Sequence, residues 1–134
     1  MDAAIPPQNG LNYYRAVTDR MGDPSDFYRV FMVPGMAHCS GGDGPNAFGN
    51  GTNNGPVIDA DHDLLQALDR WVEQGVAPER IIATHYVNNT PASGVQFRRP
   101  LCPFPQVARY TVGDPNNADS FKCVQDEFDH DPRD

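Results

Sequence analysis

The residue in this sequence best placed to do chemistry is His38, in the run Val33-Pro34-Gly35-Met36-Ala37-His38-Cys39-Ser40-Gly41-Gly42-Asp43-Gly44. A neutral imidazole accepts a hydroxyl proton near pH 7 when a carboxylate fixes its tautomer and stabilises the imidazolium that forms. The hydroxyl is not supplied in a usable setting: Ser25, Ser40, Ser93 and Ser120 all lie outside a Gly-x-Ser-x-Gly turn. With the nucleophile goes the backbone N–H that would follow it and complete an oxyanion hole. On residue type and spacing alone, His38 reads either as a general base or as a structural loop histidine.

The other titratable clusters carry less. His62 stands at the polar side of a helix start and reads as surface, His85 alternates with apolar neighbours and reads as packed, and His130 falls in an acidic tail. Asp59, Asp61, His62 and Asp63 have the ligand types of a divalent-cation site, but acids in a helix's first turn already answer its macrodipole, so no metal is assigned. The glycines at 41, 42 and 44 have neither a lysine nor a helix directly after them, which argues against a phosphate cradle.

The elements that must position His38 follow from the apolar pattern. Residues 9–21 predict a helix with Asn9 as N-cap and Gly22 as stop, preceded by a segment that Pro6 and Pro7 hold extended. Residues 27–33 form a nearly continuous apolar run ended by Pro34-Gly35, the pattern of a buried strand in a mostly parallel sheet. The histidine five residues beyond that strand sits at the carboxyl edge, where open α/β sheets collect catalytic groups and where an α/β-hydrolase carries its base. In that fold the acid precedes the histidine in the chain. Of Asp2, Asp19, Asp23 and Asp26, only Asp2 is placed to follow an earlier strand at the same edge. Residues 61–74 predict a second helix from the stripe Leu64, Leu65, Leu68, Trp71 and Val72, with Gly75 at its end. Residues 81–87 predict a strand, and 95–98 and 107–112 weaker ones.

Composition narrows the class. A net charge of −8 without any Lys/Arg cluster excludes nucleic acid and anionic membrane as partners. No apolar run reaches the roughly 20 residues of a spanning helix, and the N-terminus lacks the basic start and apolar stretch of an export signal. Thirteen prolines and twelve glycines cluster in long aperiodic stretches, which suits a piece of a larger fold better than a small autonomous domain. Cys39, Cys102 and Cys123 are an odd set: a 102–123 bridge would leave Cys39 with a partner elsewhere, while three reduced thiols in a cytosolic protein would leave none paired. Residues 1–123 are read as one unit and 124–134, with five acids against one arginine, as a solvated, disordered tail.

Four groups of residues, in order, resemble one family. They are Gly35-Met36-Ala37-His38-Cys39 with Gly41-Gly42 and Gly44-Pro45; Asp2 with Ile5-Pro6-Pro7 and Tyr13-Tyr14; Ala67-Leu68, Trp71-Val72-Glu73 and Gly75-Val76-Ala77-Pro78; and Arg99-Pro100-Leu101-Cys102-Pro103 through Arg109-Tyr110, Phe121 and Cys123. Together they are similar to the C-terminal part of the tannase and feruloyl esterase family of α/β-hydrolase serine esterases. The resemblance implies a C-terminal fragment of an α/β-hydrolase fold, a partial, mostly parallel sheet with flanking helices and long loops. It implies that His38 is the base and Asp2 its carboxylate. Cys39 would bridge to a cysteine beside a serine nucleophile outside this chain, and Cys102 would pair with Cys123. It further implies esters of aromatic carboxylic acids as substrates, a secreted or periplasmic protein, and no cofactor in this chain, since the family's structural calcium belongs to a lid domain absent here. Without the serine, the chain alone is expected to be inactive and to need the missing N-terminal portion as its partner. Two other readings remain: a non-enzymatic binding module from a truncated gene, and a metal-dependent hydrolase around His38, His62 and His85.

Overall fold

The computed structural model describes residues 4–51 and 53–126. Two helices, α1 (Gln8–Met21) and α2 (Leu64–Gln74), precede four strands, β1 (Ile81–Tyr86), β2 (Val95–Leu101), β3 (Gln106–Tyr110) and β4 (Phe121–Gln125). β1 pairs with β2 and β3 with β4, both antiparallel, so the parallel sheet expected from the sequence is not found among the described residues.

The expected strand at 27–33 is likewise corrected: it makes one bridge, Phe31 to Pro103, and one flanking bond, Phe104 N–H to Val30 O at 2.7 Å. A continuous apolar run becomes a parallel strand only where it is paired along its length. Here its only strand-type pairing is with the turn after β2. Its apolar side chains still pack: Phe31, Val33 and Met36 lie against the core of Phe48, Ala67, Ile81, Ala83 and Leu101.

Helix α1 is capped at Pro7, two residues before the Asn9 cap its side-chain pattern suggests. Pro7, with helical φ of −61°, serves as N-cap, and the Asn9 and Gly10 amides bond to the Pro6 and Pro7 carbonyls, so the prolines open the helix instead of holding an extended segment. Gly22 ends it at φ 81°. Its buried residue, Tyr14, packs edge-on to Phe104 at 5.6 Å and against Tyr28 at 5.4 Å. Burial, with the Asp23 charge nearby, pushes the Tyr14 phenol up from its ordinary value, which keeps the hydroxyl neutral.

Helix α2 is capped by Asp63, whose carboxylate accepts from the Leu65 and Gln66 amides, and closed by left-handed Gly75. The residues 61–63 assigned to the helix from sequence are its turn and cap. Only Ala67 on the inner side is fully buried; Leu65, Leu68 and Val72 of the apolar stripe are 65%, 50% and 72% exposed. Of the stripe only Trp71 finds partial cover within the described residues, from the Arg29 guanidinium 5.5 Å from its ring centroid.

Strand β1 is buried along its whole length because it has neighbours on both sides. β2 lies on one, and on the other Ala47 exchanges both backbone bonds with Thr84 at 2.9 and 3.0 Å. The second ribbon is tied on in two ways. The Arg99 guanidinium lies between the Phe97 and Phe121 rings at 4.8 and 4.4 Å, and Cys102 is joined to Cys123 by a disulfide. That pairing answers the cysteine question for two of the three. β4 runs through Val124 and Gln125, residues placed in the acidic tail from sequence; the tail beyond residue 126 lies outside the described residues.

The disulfide spans 21 positions, and a crosslink of that size stabilises by about 3 kcal/mol through the unfolded ensemble. Cys102→Ser is therefore expected to lower the unfolding free energy by about 2–4 kcal/mol, read as a shift in the denaturant midpoint. A midpoint that neither this change nor reductant moves would contradict it.

Candidate active site

His38 stands, exposed, on a loop folded tightly on itself. Met36 and Gly42 form an antiparallel bridge, the Ala37 amide bonds to Gly41 O at 3.1 Å, and the Gly44 amide bonds to Gly35 O at 3.1 Å. At the tip, the Ser40 amide reaches back to His38 O at 2.8 Å, turning the chain about Cys39, which takes a left-handed φ of 61°. A non-glycine residue held there is a local cost that the surrounding bonds must sustain. Three of the loop's glycines are required by contact: a Cβ on Gly42 would collide with Gly35 O, one on Gly44 with Pro34 O, and one on Gly35 with Gly44 N. Gly42 and Gly44 of the Gly-Gly-Asp-Gly run are thus packing requirements of the loop, and Gly41, with open space about it, takes a left-handed φ of 70°.

The loop is fastened to the body by polar groups that sequence reasoning missed. The Asn50 and Asn53 amides donate to Cys39 O at 3.2 and 3.5 Å. Asn46 and Asn89 pair at 2.6 Å, and the Asn89 amide also donates to Gly42 O at 3.1 Å. The one available signal was the Asn88-Asn89 pair, a residue type that tolerates the left-handed φ of 53° and 54° found there.

Asp2, the expected carboxylate, lies outside the described residues, as does His130. Cys39 is exposed and carries no disulfide in this chain. His62 is less of a surface residue than expected, its side chain 21% exposed and its Nδ1 2.7 Å from Asp59, a contact that holds the Asp59 carboxyl below the usual carboxylate range. His85 is packed as expected, on β1 beneath the loop. Among the described residues no three His, Cys, Asp or Glu side chains converge as a metal site would require. A cleft of about 820 Å³ does exist, but it opens between α1, the turn at Phe104 and β4, lined by Tyr14, Arg29, Arg80 and Lys122 among others, and no residue of the His38 loop borders it. Position of the imidazole, not cleft size, marks the site here. Arg29 in that cleft is already committed to Ser25 O and Pro78 O.

The described residues thus join two helices and two antiparallel ribbons to an exposed histidine on a glycine-packed loop. The chain belongs to the tannase and feruloyl esterase family, whose profile matches residues 1–124. It is 43% identical over 134 residues to a probable feruloyl esterase of Arthroderma benhamiae, covering 96% of this chain and 22% of that protein. With an uncharacterized esterase of Xanthomonas campestris pv. campestris it shares 42% over 141 residues, covering 92% and 24%. Among solved structures, an esterase from Aspergillus oryzae superposes with a TM-score of 0.84 at 35% identity, and feruloyl esterase B from the same organism with 0.80 at 34%; each comparison covers 92% of this chain and 25% of the other. The chain spans about a quarter of the length of the relatives it matches. No helix among the described residues is long and apolar enough to cross a membrane.

Proposed function

We propose that the chain is the histidine-bearing, C-terminal part of a serine carboxylesterase acting on esters of aromatic carboxylic acids. The observation that carries this is the exposed His38 on a loop whose every turn is fixed by a backbone or side-chain bond. A base of this kind must be reachable and yet must not wander. In the reaction, His38 takes the proton of a serine hydroxyl supplied by the missing N-terminal portion, and the freed oxygen attacks the ester carbonyl. The imidazolium returns the proton to the departing alcohol. Water, deprotonated by the same imidazole, then releases the acid from the acyl-enzyme. Asp2 is assigned as the carboxylate that orients His38. Cys39 is assigned as half of a bridge to the serine-bearing segment, which would bring base and nucleophile together covalently. Such a bridge fits a secreted or periplasmic protein. The uncovered stripe of α2 is assigned as part of the surface on which the missing portion packs, since apolar area of that kind is normally covered.

Assaying the chain alone and the intact esterase side by side with methyl ferulate and methyl gallate tests the reading. Turnover is expected only from the intact protein, and is expected to vanish when a phosphonate ester caps its serine. His38-dependent turnover by the isolated chain would refute the division of labour.

A further inference from the structure

We propose that His85 and the Asn46–Asn89 pair are the positioning residues for the catalytic imidazole, gripping the His38 loop from beneath; this rests on the reading of His38 as the base. The bonds inside the loop, Ala37 to Gly41 and Gly44 to Gly35, hold its shape but do not tie it to the rest of the protein. Its register on the body is set where its carbonyls are grasped. His85 Nδ1 lies 2.8 Å from Gly44 O, across 41 positions of sequence, and Asn89 grasps Gly42 O across 47. A carbonyl oxygen only accepts, so the His85 Nδ1 carries the proton and the ring is a donor toward the loop.

His85 is an expensive choice for this position unless that bond matters. It sits 6% exposed in a strand that is otherwise Ile, Ile, Ala, Thr and Tyr, stacked on Phe97 with ring centroids 4.8 Å apart and planes 17° from parallel. A phenylalanine would stack equally well and carry no polar atom into the interior. What it could not do is hold Gly44. The stack also fixes the imidazole plane, so the donor points in one direction. Asn89 reaches the loop because the turn after β1 places it at a left-handed φ of 54°, and its own amide oxygen is engaged by Asn46, which adds a contact to Gly42 O at 3.4 Å. Gly42 and Gly44, whose carbonyls Asn89 and His85 hold, also pack directly on 34–35, so a shift at either is passed to the stretch of backbone that leads into His38.

The test uses the intact esterase with methyl ferulate, and compares His85→Phe, His85→Asn and Asn89→Ala with the parent and with His38→Ala. His85→Phe keeps the stack and loses the donor; His85→Asn returns an N–H near the Nδ1 position. Because small misplacements of a catalytic group cost far more than they do in binding, His85→Phe is expected to lower kcat by about tenfold to a hundredfold with KM within about twofold. His85→Asn is expected to recover most of it, and the acid limb of the kcat profile with pH is expected to move in His85→Phe and return in His85→Asn. A residue that only stabilised the fold would lower the active fraction without moving the profile. Should His85→Phe fail to fold, exposed Asn89→Ala carries the test, with kcat expected to fall about tenfold at unchanged Tm. Kcat within twofold of the parent in every variant that folds, or equal losses in His85→Phe and His85→Asn, overturns the proposal. Full activity in His38→Ala would instead sink the catalytic reading itself, so the two failures are told apart.

Discussion

Replacing His38 by alanine in the intact esterase is expected to lower kcat/KM toward methyl ferulate by about 10⁴-fold or more, because a serine hydroxyl without its base is a poor nucleophile near pH 7. The loss should appear in kcat, with KM little changed, since the imidazole acts on the proton in flight and not on the bound ester. Folding should be untouched: the side chain is exposed, and the loop's bonds at Ala37, Ser40 and Gly44 are made by backbone. Equal Tm for the variant and its parent, measured beside the kinetics, would show that the loss is chemical. A variant retaining more than about a tenth of parental kcat/KM would remove His38 from the mechanism.

The second large effect has opposite outcomes in two settings. Leu65 and Leu68 on α2 are 65% and 50% exposed in this chain. Changing both to glutamate is expected to leave the isolated chain's stability within about 0.5 kcal/mol, as for most surface substitutions, and to improve its solubility. In the intact esterase the same pair should cost about 3–5 kcal/mol or prevent assembly, since each carboxylate would be buried without a partner against apolar neighbours. Chemical denaturation of both proteins decides it. An intact esterase that tolerates the double change with an unmoved midpoint would show that α2 faces water there too.

Local rules carried α2 and β1 well, α2 through its Asp63 and Gly75 ends and β1 through its β-branched residues, while for α1 they found the helix and its Gly22 stop but not its Pro7 cap. They failed at 27–33, where the apolar run has strand character but only one point of pairing, and pairing is a property of neighbours distant in sequence. β4 was missed for a different reason: the alternation begun by Phe121-Lys122-Cys123 is broken at Val124, and the segment abuts the acidic run that marked the tail. The exposed face of β3 left its alternation similarly weak. At the site, the histidine and its glycines were readable because they are contiguous. The side chains that hold them are not: His85 and Asn89 lie more than 40 positions away, and nothing in their own neighbourhoods points to the loop. The apolar stripe of α2 was legible as a stripe, but a stripe does not name what it meets.

The bond between Cys102 and Cys123 also decides how this end of the protein answers a pull. Tension entering from the C-terminus reaches Cys123 and crosses at once to Cys102 at the edge of β2, so β3 and the turns around it lie off the load path. About 70 Å of contour, the reach of the 21 bypassed positions, stays slack inside the closed ring for as long as the two sulfurs remain joined.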